Sequence, residues 1–208
     1  MPEQKGLLVV LSGPSGAGKG TVVKELLKAS DKICLSVSAT TRKPRLGEEN
    51  GREYFFTTQK DFEAMIDRGE VLEYACYCGN YYGTPKKYVD EQIACGNDVI
   101  LEIEVQGGGQ VRAKCPDAVS VFLIPKSFAV LADRLRGRGT EDEQTVRRRL
   151  DAALQEIRQA ENYDYVVIND TLDDCVQDIL SILRPEKNKT VKMKNFIKEV
   201  LADAQTIR

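Results

Sequence analysis

A glycine-rich stretch near the start of the chain has the residue types and spacing of a phosphate-binding loop. It consists of Gly13, Pro14, Ser15, Gly16, Ala17, Gly18, Lys19, Gly20 and Thr21. Glycines let backbone N–H groups converge on an anion without interference from Cβ atoms, and a following helix adds positive partial charge at its N-terminus. A lysine placed as Lys19 is can reach the β- and γ-phosphates of a nucleotide. The stretch therefore predicts binding of a nucleoside triphosphate.

The sequence on either side of this loop supplies the elements that must hold it. The apolar run at 7–11 predicts a buried parallel strand, and residues 22–27 have helical spacing. Strand, glycine-rich turn and helix form the context of a phosphate-binding loop, whereas an ordinary glycine turn is the alternative. Gly20 stands where Ser or Thr usually follows the lysine, and Thr21 comes one position later. We therefore expect no direct metal ligation by a loop hydroxyl.

The chain contains no histidine, and this absence restricts its chemistry. Ser-His and Cys-His nucleophilic schemes and histidine acid–base catalysis are excluded. Phosphoryl transfer to another phosphate stays open, because a phosphate monoester with a second pKa of about 6 is largely dianionic near pH 7. Such an acceptor is already a nucleophile, so the reaction needs alignment and cations rather than a general base.

Composition predicts a protein without a polyanion or membrane partner. The 208 residues carry a formal charge of −2, so we expect no nucleic-acid partner. No apolar run approaches the ~20 residues needed to cross a bilayer, and the first residues lack the apolar segment of a secretory signal. The six cysteines, at positions 34, 76, 78, 95, 115 and 175, form no Cys-x-x-Cys pair. We expect reduced, mostly buried thiols and a cytoplasmic location.

Strand and helix signals alternate along most of the chain, which predicts a parallel sheet covered by helices. The expected strands are 7–12, 98–103, 119–124 and 164–168, and the expected helices are 19–29, 86–95, 127–136, 141–161 and 172–184. Helix starts are predicted at Thr84-Pro85, Thr140-x-x-Glu143 and Thr171-x-x-Asp174. Residues 34–84 instead show short strand-like pieces, one helix near 59–68 and a tight hairpin turn at 78–81. We interpret this stretch as a small insert.

The insert contains a second group of residues that could bind phosphate. Pro44 disfavours helix at Lys43, so Arg42 and Arg45 are expected on an irregular loop. Two arginines and Tyr54 on such a loop can converge on one phosphate, with bidentate geometry available to each guanidinium. A solvated basic turn is the alternative that composition alone leaves open.

Six pieces of sequence together resemble guanylate kinases, from about residue 6 to 184. They are GPSGAGK at 13–19, SVSATTRKPR at 36–45, GNYYGT at 79–84, LEIEVQG at 101–107, RLRGRGT at 134–140 and VIND at 167–170. The resemblance implies a P-loop three-layer α/β/α fold with a parallel core sheet, plus a small mixed α+β GMP-binding insert and a lid. The core would be 1–33 and 85–184 with the lid at about 134–150, the insert 34–84, and 185–208 a C-terminal helical extension.

The same resemblance implies roles for individual residues. ATP would lie on the loop residues 13–21 and near Asn169. GMP would be held by residues of the insert and of one strand end, namely Ser38, Arg42, Arg45, Tyr54, Glu73, Tyr82, Thr84, Glu102 and Glu104. The catalytic residues would be Lys19, Arg42, Arg134, Arg138 and Arg149. Many relatives carry Asp where this chain has Glu102 and Glu104. Mg²⁺ would arrive with ATP, without direct protein ligation, and contact Glu102 through water.

These roles imply an ATP:GMP phosphotransferase that forms ADP and GDP by direct in-line transfer. Two alternatives are a non-catalytic guanylate-kinase-like module that binds peptides and a nucleoside monophosphate kinase of other base specificity. The intact loop with Lys19 disfavours the first. The insert disfavours the second, because a carboxylate at Glu73 can accept from both N1–H and the 2-amino group of guanine. Adenine lacks that amino group and presents an acceptor at N1.

Residues 185–208 lie outside the resemblance. Pro185 is predicted to stop the preceding helix, and an apolar stripe follows at helical spacing, formed by Met193, Phe196, Ile197, Val200, Leu201 and Ala204. We expect a helix packed on its own core or on a neighbouring subunit, which leaves homo-oligomer formation open. Binding to nucleic acid or membrane is the alternative for this basic segment.

Overall fold

Two β-sheets and the helices around them organise the chain. The computed structural model describes residues 5–137 and 142–207. Its strands are β1 (Leu8–Ser12), β2 (Ile33–Leu35), β3 (Ala39–Thr40), β4 (Phe55–Phe56), β5 (Val71–Tyr77), β6 (Asn80–Pro85), β7 (Asp98–Glu102), β8 (Val119–Pro125) and β9 (Tyr165–Asn169). Its helices are α1 (Lys19–Ala29), α2 (Gln59–Asp67), α3 (Lys86–Ala94), α4 (Val105–Lys114), α5 (Phe128–Arg136), α6 (Glu143–Arg158), α7 (Leu172–Lys187) and α8 (Thr190–Ile207).

The core sheet has five parallel strands in the order β2-β7-β1-β8-β9. Its central strands are apolar because helices cover both faces. On one face α1 and α7 pack through Val22, Leu26 and Ile179. On the other face α3 and α4 pack through Val89 and Val111. This arrangement confirms the predicted three-layer α/β/α fold, and parallel register brings the carboxyl ends of all five strands to one edge.

The second sheet is smaller and mixed, with the order β4-β3-β6-β5. β3 pairs with β4 in parallel, whereas β5 and β6 form an antiparallel hairpin. The turn between them lies at Cys78 and Gly79, whose φ values of 47° and 74° are both positive, as a two-residue hairpin turn requires. Phe62 of α2 is fully buried and stacks on Tyr81 with ring centroids 5.2 Å apart. The predicted insert thus has its own small core, and its boundaries at 34 and 84 stay a prediction.

Three local expectations were wrong. Helix α4 was not predicted, because its consecutive glycines 107–109 hide a helical pattern. Thr84 was expected to cap α3, but Pro85 occupies the N-cap position, and Thr84 ends a buried strand and donates its hydroxyl hydrogen to Glu73. Pro185 does not stop α7, which continues to Lys187.

Caps at two other helix starts gave different outcomes. The Thr171 side chain accepts from the N–H of Asp174, which confirms the predicted start of α7. Asp142 caps α6 by accepting from the N–H of Thr145, so that helix begins later than predicted. Thr140, the predicted cap, lies outside the described residues.

The α7 cap allows a test of local stability. We expect Thr171→Ala to lower the free energy of unfolding by about 1 kcal/mol, because it leaves an N-terminal amide of the helix without its acceptor. Thr171→Ser retains the oxygen and should stay within a few tenths of a kcal/mol of wild type. Urea titration of the three proteins measures the difference. Equal losses in the Ala and Ser variants would show that the methyl group, not the cap, stabilises the helix start.

The C-terminal helix and the cysteines are more exposed than expected. α8 is helical as predicted, but Phe196, Ile197, Val200 and Leu201 are 38% to 60% exposed. The whole stripe therefore does not pack on the core of its own chain, and packing on a neighbouring subunit stays a prediction. Among the cysteines, those at 76, 78 and 95 are exposed and only Cys175 is fully buried, which corrects the expectation of mostly buried thiols. All six thiols are free. Within the described part of the chain, no helix is long and apolar enough to cross a bilayer.

Candidate active site

The glycine-rich loop joins the end of β1 to the start of α1 at the carboxyl edge of the core sheet. Gly16 and Gly18 have φ values of 91° and 95°, a region that side chains with a Cβ rarely adopt. A Cβ on Gly18 would lie 2.5 Å from Nδ2 of Asn169. The loop therefore requires glycine at this position, and it points the N-terminus of α1 at whatever the loop binds.

Lys19 is the first residue of α1, and its side chain folds back along the loop. Its Nζ donates to the carbonyl oxygen of Gly13 at 2.6 Å and to that of Pro14 at 3.4 Å. Burial lowers the pKa of Lys19, and the negative charges of Glu102 and Glu156 oppose that shift. The ammonium group is thus held at the loop by carbonyl oxygens and flanked by carboxylates.

The opposite wall of the loop is held through one carbonyl oxygen. The side chain of Asn169, at the end of β9, donates to the carbonyl of Ala17 at 2.7 Å and is buried. Arg134 of α5 donates to the same carbonyl at 3.3 Å and to the carbonyl of Asn169 at 3.2 Å. Arg134 therefore lies against the phosphate-binding loop, with its charge fixed beside it.

A cavity opens next to the loop, between the core sheet and the insert. Its volume is about 450 Å³. The predicted GMP residues that line it are Ser38, Tyr54, Glu73, Tyr82, Glu102 and Glu104. Glu102 is the last residue of β7, the strand that pairs with β1, and Glu104 follows two positions later, whereas the other four come from the insert. The cavity therefore lies between a strand end of the core and the mixed sheet.

Glu73 is the buried charge of this cavity. Glu73 is only 7% exposed, and its Oε1 accepts a hydrogen bond from the Thr84 hydroxyl at 2.7 Å. Burial raises the pKa of Glu73, while the bond from Thr84 opposes the rise. On its other side, a Cβ at Gly107 of α4 would lie 2.8 Å from Oε2 of Glu73. Thr84 and the bare backbone of Gly107 together fix where the carboxylate points.

Gly107 offers a test of that placement with a matched control in the same helix. We expect Gly107→Ala to weaken binding of GMP, the ligand predicted for this cavity, about tenfold, because the new methyl group displaces the Glu73 carboxylate. Gly109→Ala should leave binding unchanged, because no atom lies within 4 Å of a Cβ at that position. Both changes raise helix propensity, so neither should lower the melting temperature through the helix itself. Calorimetric titration checks this, and equal affinities of the two variants would contradict the role of Gly107.

Arg42 packs against aromatic rings of the insert. Its guanidinium carbon lies 5.4 Å from the ring centroid of Tyr54, and the Tyr54 and Tyr82 rings are 6.1 Å apart. Arg42 also donates to Glu48 at 2.9 Å. The structure thus brings Arg42, Tyr54 and Tyr82 together. Arg45 lies on the same loop with an exposed side chain.

The remaining predicted residues are placed less centrally. Arg149 is half-buried on α6, and Thr21 is exposed on α1. Glu102 lies beside the start of α1, since a Cβ on Gly20 would be 3.5 Å from its Oε1. Desolvation raises the pKa of Glu102, and Lys19 opposes the rise. Arg138 lies outside the described residues.

Sequence reasoning missed Glu156 of α6. Its Oε2 accepts from the N–H of Ser15 in the loop at 3.4 Å, a long contact that joins residues 141 positions apart. Burial raises the pKa of Glu156, and the bond from Ser15 and the charge of Lys19 oppose the rise. No local sequence signal could have found this pairing. Glu48, in contrast, lies six positions from Arg42, and its proximity to a basic loop was a visible signal.

Two further features bear on ligand binding. The larger cavity, about 630 Å³, lies at the amino ends of the core strands and is lined by Leu8, Ile93, Met193 and Phe196, far from the phosphate-binding loop. Over residues 5–137 and 142–207, no group of three or more His, Cys, Asp or Glu side chains could hold a metal ion. The 450 Å³ cavity, in contrast, is lined by Glu102 beside the start of α1.

The fold and the site define a P-loop nucleotide-binding protein with a separate cavity beside a small mixed sheet. The family model for guanylate kinase matches residues 5–186. A guanylate kinase of Clostridioides difficile is 50% identical over 196 residues, which cover 94% of this chain and 96% of that protein. One of Halalkalibacterium halodurans is 51% identical over 193 residues, covering 93% and 95% of the two chains.

A solved structure extends the comparison to three dimensions. The crystal structure of guanylate kinase from Anaplasma phagocytophilum superposes with a TM-score of 0.69 at 34% identity, covering 91% of this chain and 90% of that one. The chain belongs to the guanylate kinase family.

Proposed function

We propose that this protein transfers the γ-phosphoryl group of ATP directly to GMP, giving ADP and GDP. One observation carries the proposal beyond family membership: a buried carboxylate, Glu73, lies in a cavity that opens beside an intact phosphate-binding loop. The loop supplies a site for the donor, and the cavity supplies one for an acceptor. Because GMP brings its own dianionic nucleophile, the site needs no general base.

On the donor side, we assign ATP to the loop residues 13–21, with Lys19 next to the transferring phosphate. Arg134, fixed on the loop carbonyl of Ala17, and Arg149 on α6 supply further positive charge, together with Arg138. Charge that spreads over the moving group in the transition state is stabilised by such preorganised cations. Asn169 is assigned a place near the adenine, in addition to its bond to the loop.

On the acceptor side, Arg42, Arg45, Tyr54 and Tyr82 bind the phosphate of GMP in this proposal. Ser38, Glu73 and Thr84 recognise guanine. Thr84 donates to one oxygen of Glu73, which leaves lone pairs of the carboxylate for the N1–H and 2-amino hydrogens of the base. Glu102 and Glu104 stand at the strand end between the two nucleotides.

Mg²⁺ is assigned to enter with ATP. Glu102 fits an outer contact with it, because its hard carboxylate oxygen lies beside the start of α1, 3.5 Å from where a Cβ on Gly20 would be. When bound, the ion neutralises charge on the β- and γ-phosphate oxygens. The protein side chains perform the remaining work of orientation and charge stabilisation.

An acceptor panel tests the proposal. Purified protein with ATP and Mg²⁺ is offered GMP, AMP, UMP or CMP, and ADP release is measured by a coupled assay. We expect rapid ADP release only when GMP is the acceptor. Release with a different acceptor would support a kinase of other base specificity, and no release with any acceptor would support the peptide-binding alternative. A cytoplasmic location and a homo-oligomeric state stay predictions.

A further inference from the structure

Glu48 connects both arginines of the predicted GMP phosphate site. Its Oε1 accepts from Nη2 of Arg42 at 2.9 Å, and its Oε2 accepts from the backbone N–H of Arg45 at 2.7 Å. The backbone N–H of Glu48 in turn donates to the carbonyl of Arg45 at 3.1 Å. The Glu48 and Arg42 side chains are only 17% and 16% exposed, unlike most other ion pairs of the described chain.

The contacts of Glu48 leave Arg42 free to bind an anion. A guanidinium has five N–H donors, and Arg42 gives one to Glu48 and one, from Nη1, to the carbonyl of Lys43 at 2.7 Å. Arg42 also has a side-chain hydrogen bond with Tyr82. Two donors remain, which is enough for a bidentate pair with a phosphate. Glu48 contacts Arg45 only through the backbone, so the whole Arg45 guanidinium remains available.

We propose that Glu48 is a positioning residue of the GMP phosphate site, which holds the Arg42 guanidinium and the backbone of Arg45 in the geometry that binds the phosphate. The inference rests on the proposed function for the identity of the ligand. Long arginine side chains lose rotamer freedom when they bind, so a protein partner that fixes them beforehand strengthens binding. Stacking of Arg42 near the Tyr54 ring restricts the same side chain from another direction.

Glu48 could also have the opposite effect, by repelling the phosphate of GMP. Its charge lies near the dianionic phosphate, and the hydrogen bond from Arg42 lowers the pKa of Glu48, so the carboxylate stays ionised near pH 7. If this repulsion outweighed the positioning, removing the charge would tighten GMP binding. The sign of the change in affinity therefore decides between the two effects.

The test compares Glu48→Gln with Glu49→Gln, a matched change at the next residue. Glu49 pairs with Arg52 at 2.9 Å, but both side chains are more than half exposed, and such pairs contribute little. By isothermal titration, we expect Glu48→Gln to weaken GMP binding about tenfold and Glu49→Gln to leave it within about twofold. An unchanged or tighter affinity of Glu48→Gln would overturn the proposal.

Two further measurements separate positioning from general damage to the loop. Guanosine lacks the phosphate, so its affinity, measured by competition, should be the same in wild type and Glu48→Gln. In an Arg42→Ala background, Glu48→Gln should cause at most about half of its wild-type loss, on a logarithmic scale, because one of its two targets is gone. Parallel losses for guanosine and GMP, or full additivity with Arg42→Ala, would overturn the role. Failure of wild type to bind GMP at all would instead contradict the proposed function.

Discussion

Lys19→Met is expected to lower kcat by about a thousandfold or more, while the Kd of GMP changes by no more than about threefold. The ammonium group is held at the phosphate-binding loop by the carbonyls of Gly13 and Pro14, at the start of α1. From there it can stabilise the charge that spreads over the transferring group in the transition state. Methionine keeps much of the length and apolar volume of the side chain but has no charge. In the proposed function GMP binds in the neighbouring cavity, so its ground-state affinity should hardly respond.

Lys24→Met in the same helix is the control, because Lys24 is exposed on α1 and should retain wild-type kcat. Initial rates at saturating ATP and GMP, with GMP affinity from calorimetry, measure both quantities. If Lys19→Met kept more than about a tenth of wild-type turnover, a loss of only about 1.4 kcal/mol of transition-state stabilisation, the proposed role of Lys19 would be wrong.

The second large effect concerns the choice of acceptor. Glu73→Gln should lower kcat/KM for GMP by about a hundredfold or more and narrow the ratio of GMP to AMP efficiency. The carboxylate can accept from both N1–H and the 2-amino group, whereas glutamine has a single acceptor oxygen. The amide can also turn a donor toward N1 of adenine. Sites that hydrogen-bond a substrate group reject an analogue without that group by about 10⁴-fold or more.

Glu70→Gln is the matched control for Glu73→Gln. Glu70 lies just before β5 and pairs with Arg68 at the surface, where both side chains are about half exposed. It should therefore leave both acceptor efficiencies unchanged. An unaltered GMP/AMP ratio in Glu73→Gln would assign the discrimination to Ser38 and Thr84, and would leave Glu73 a structural charge of the mixed sheet.

Local motifs made part of this molecule predictable from sequence. The loop from Gly13 to Thr21 is contiguous, and its glycines, its lysine and the flanking strand and helix all carry short-range signals. The same holds for the Thr171 cap and the hairpin turn at Cys78. The alternation of strand and helix signals was sufficient to predict the parallel core sheet, because each buried strand is a short apolar run that is visible in the sequence.

Long-range contacts could not be predicted, because their geometry depends on the completed fold. Ser15 meets Glu156 only after α6 has packed beside the loop. Thr84 is predicted from sequence to be a helix cap because its neighbour is proline, yet its hydroxyl donates to a buried acceptor, Glu73, instead. Helix α4 was hidden by glycines that the site requires for close approach, as at Gly107. Local propensity thus failed where tertiary contacts of the site decided the structure.

The raised pKa values of Glu73 and Glu156 make the free energy of unfolding depend on pH. For Glu73, we expect guanine binding to depend on pH in the opposite direction. A glutamate with a raised pKa in the folded state contributes most to the free energy of unfolding below its unfolded-state pKa of about 4.3. That contribution disappears as pH rises through the raised folded-state value. In the proposed function, recognition of guanine needs Glu73 ionised, so guanine binding should improve over the same interval. Lowering the pH from the folded-state pKa toward the unfolded-state pKa should thus raise the contribution of both glutamates to the free energy of unfolding. The same change reduces the ionised fraction of Glu73 and should weaken its binding of guanine.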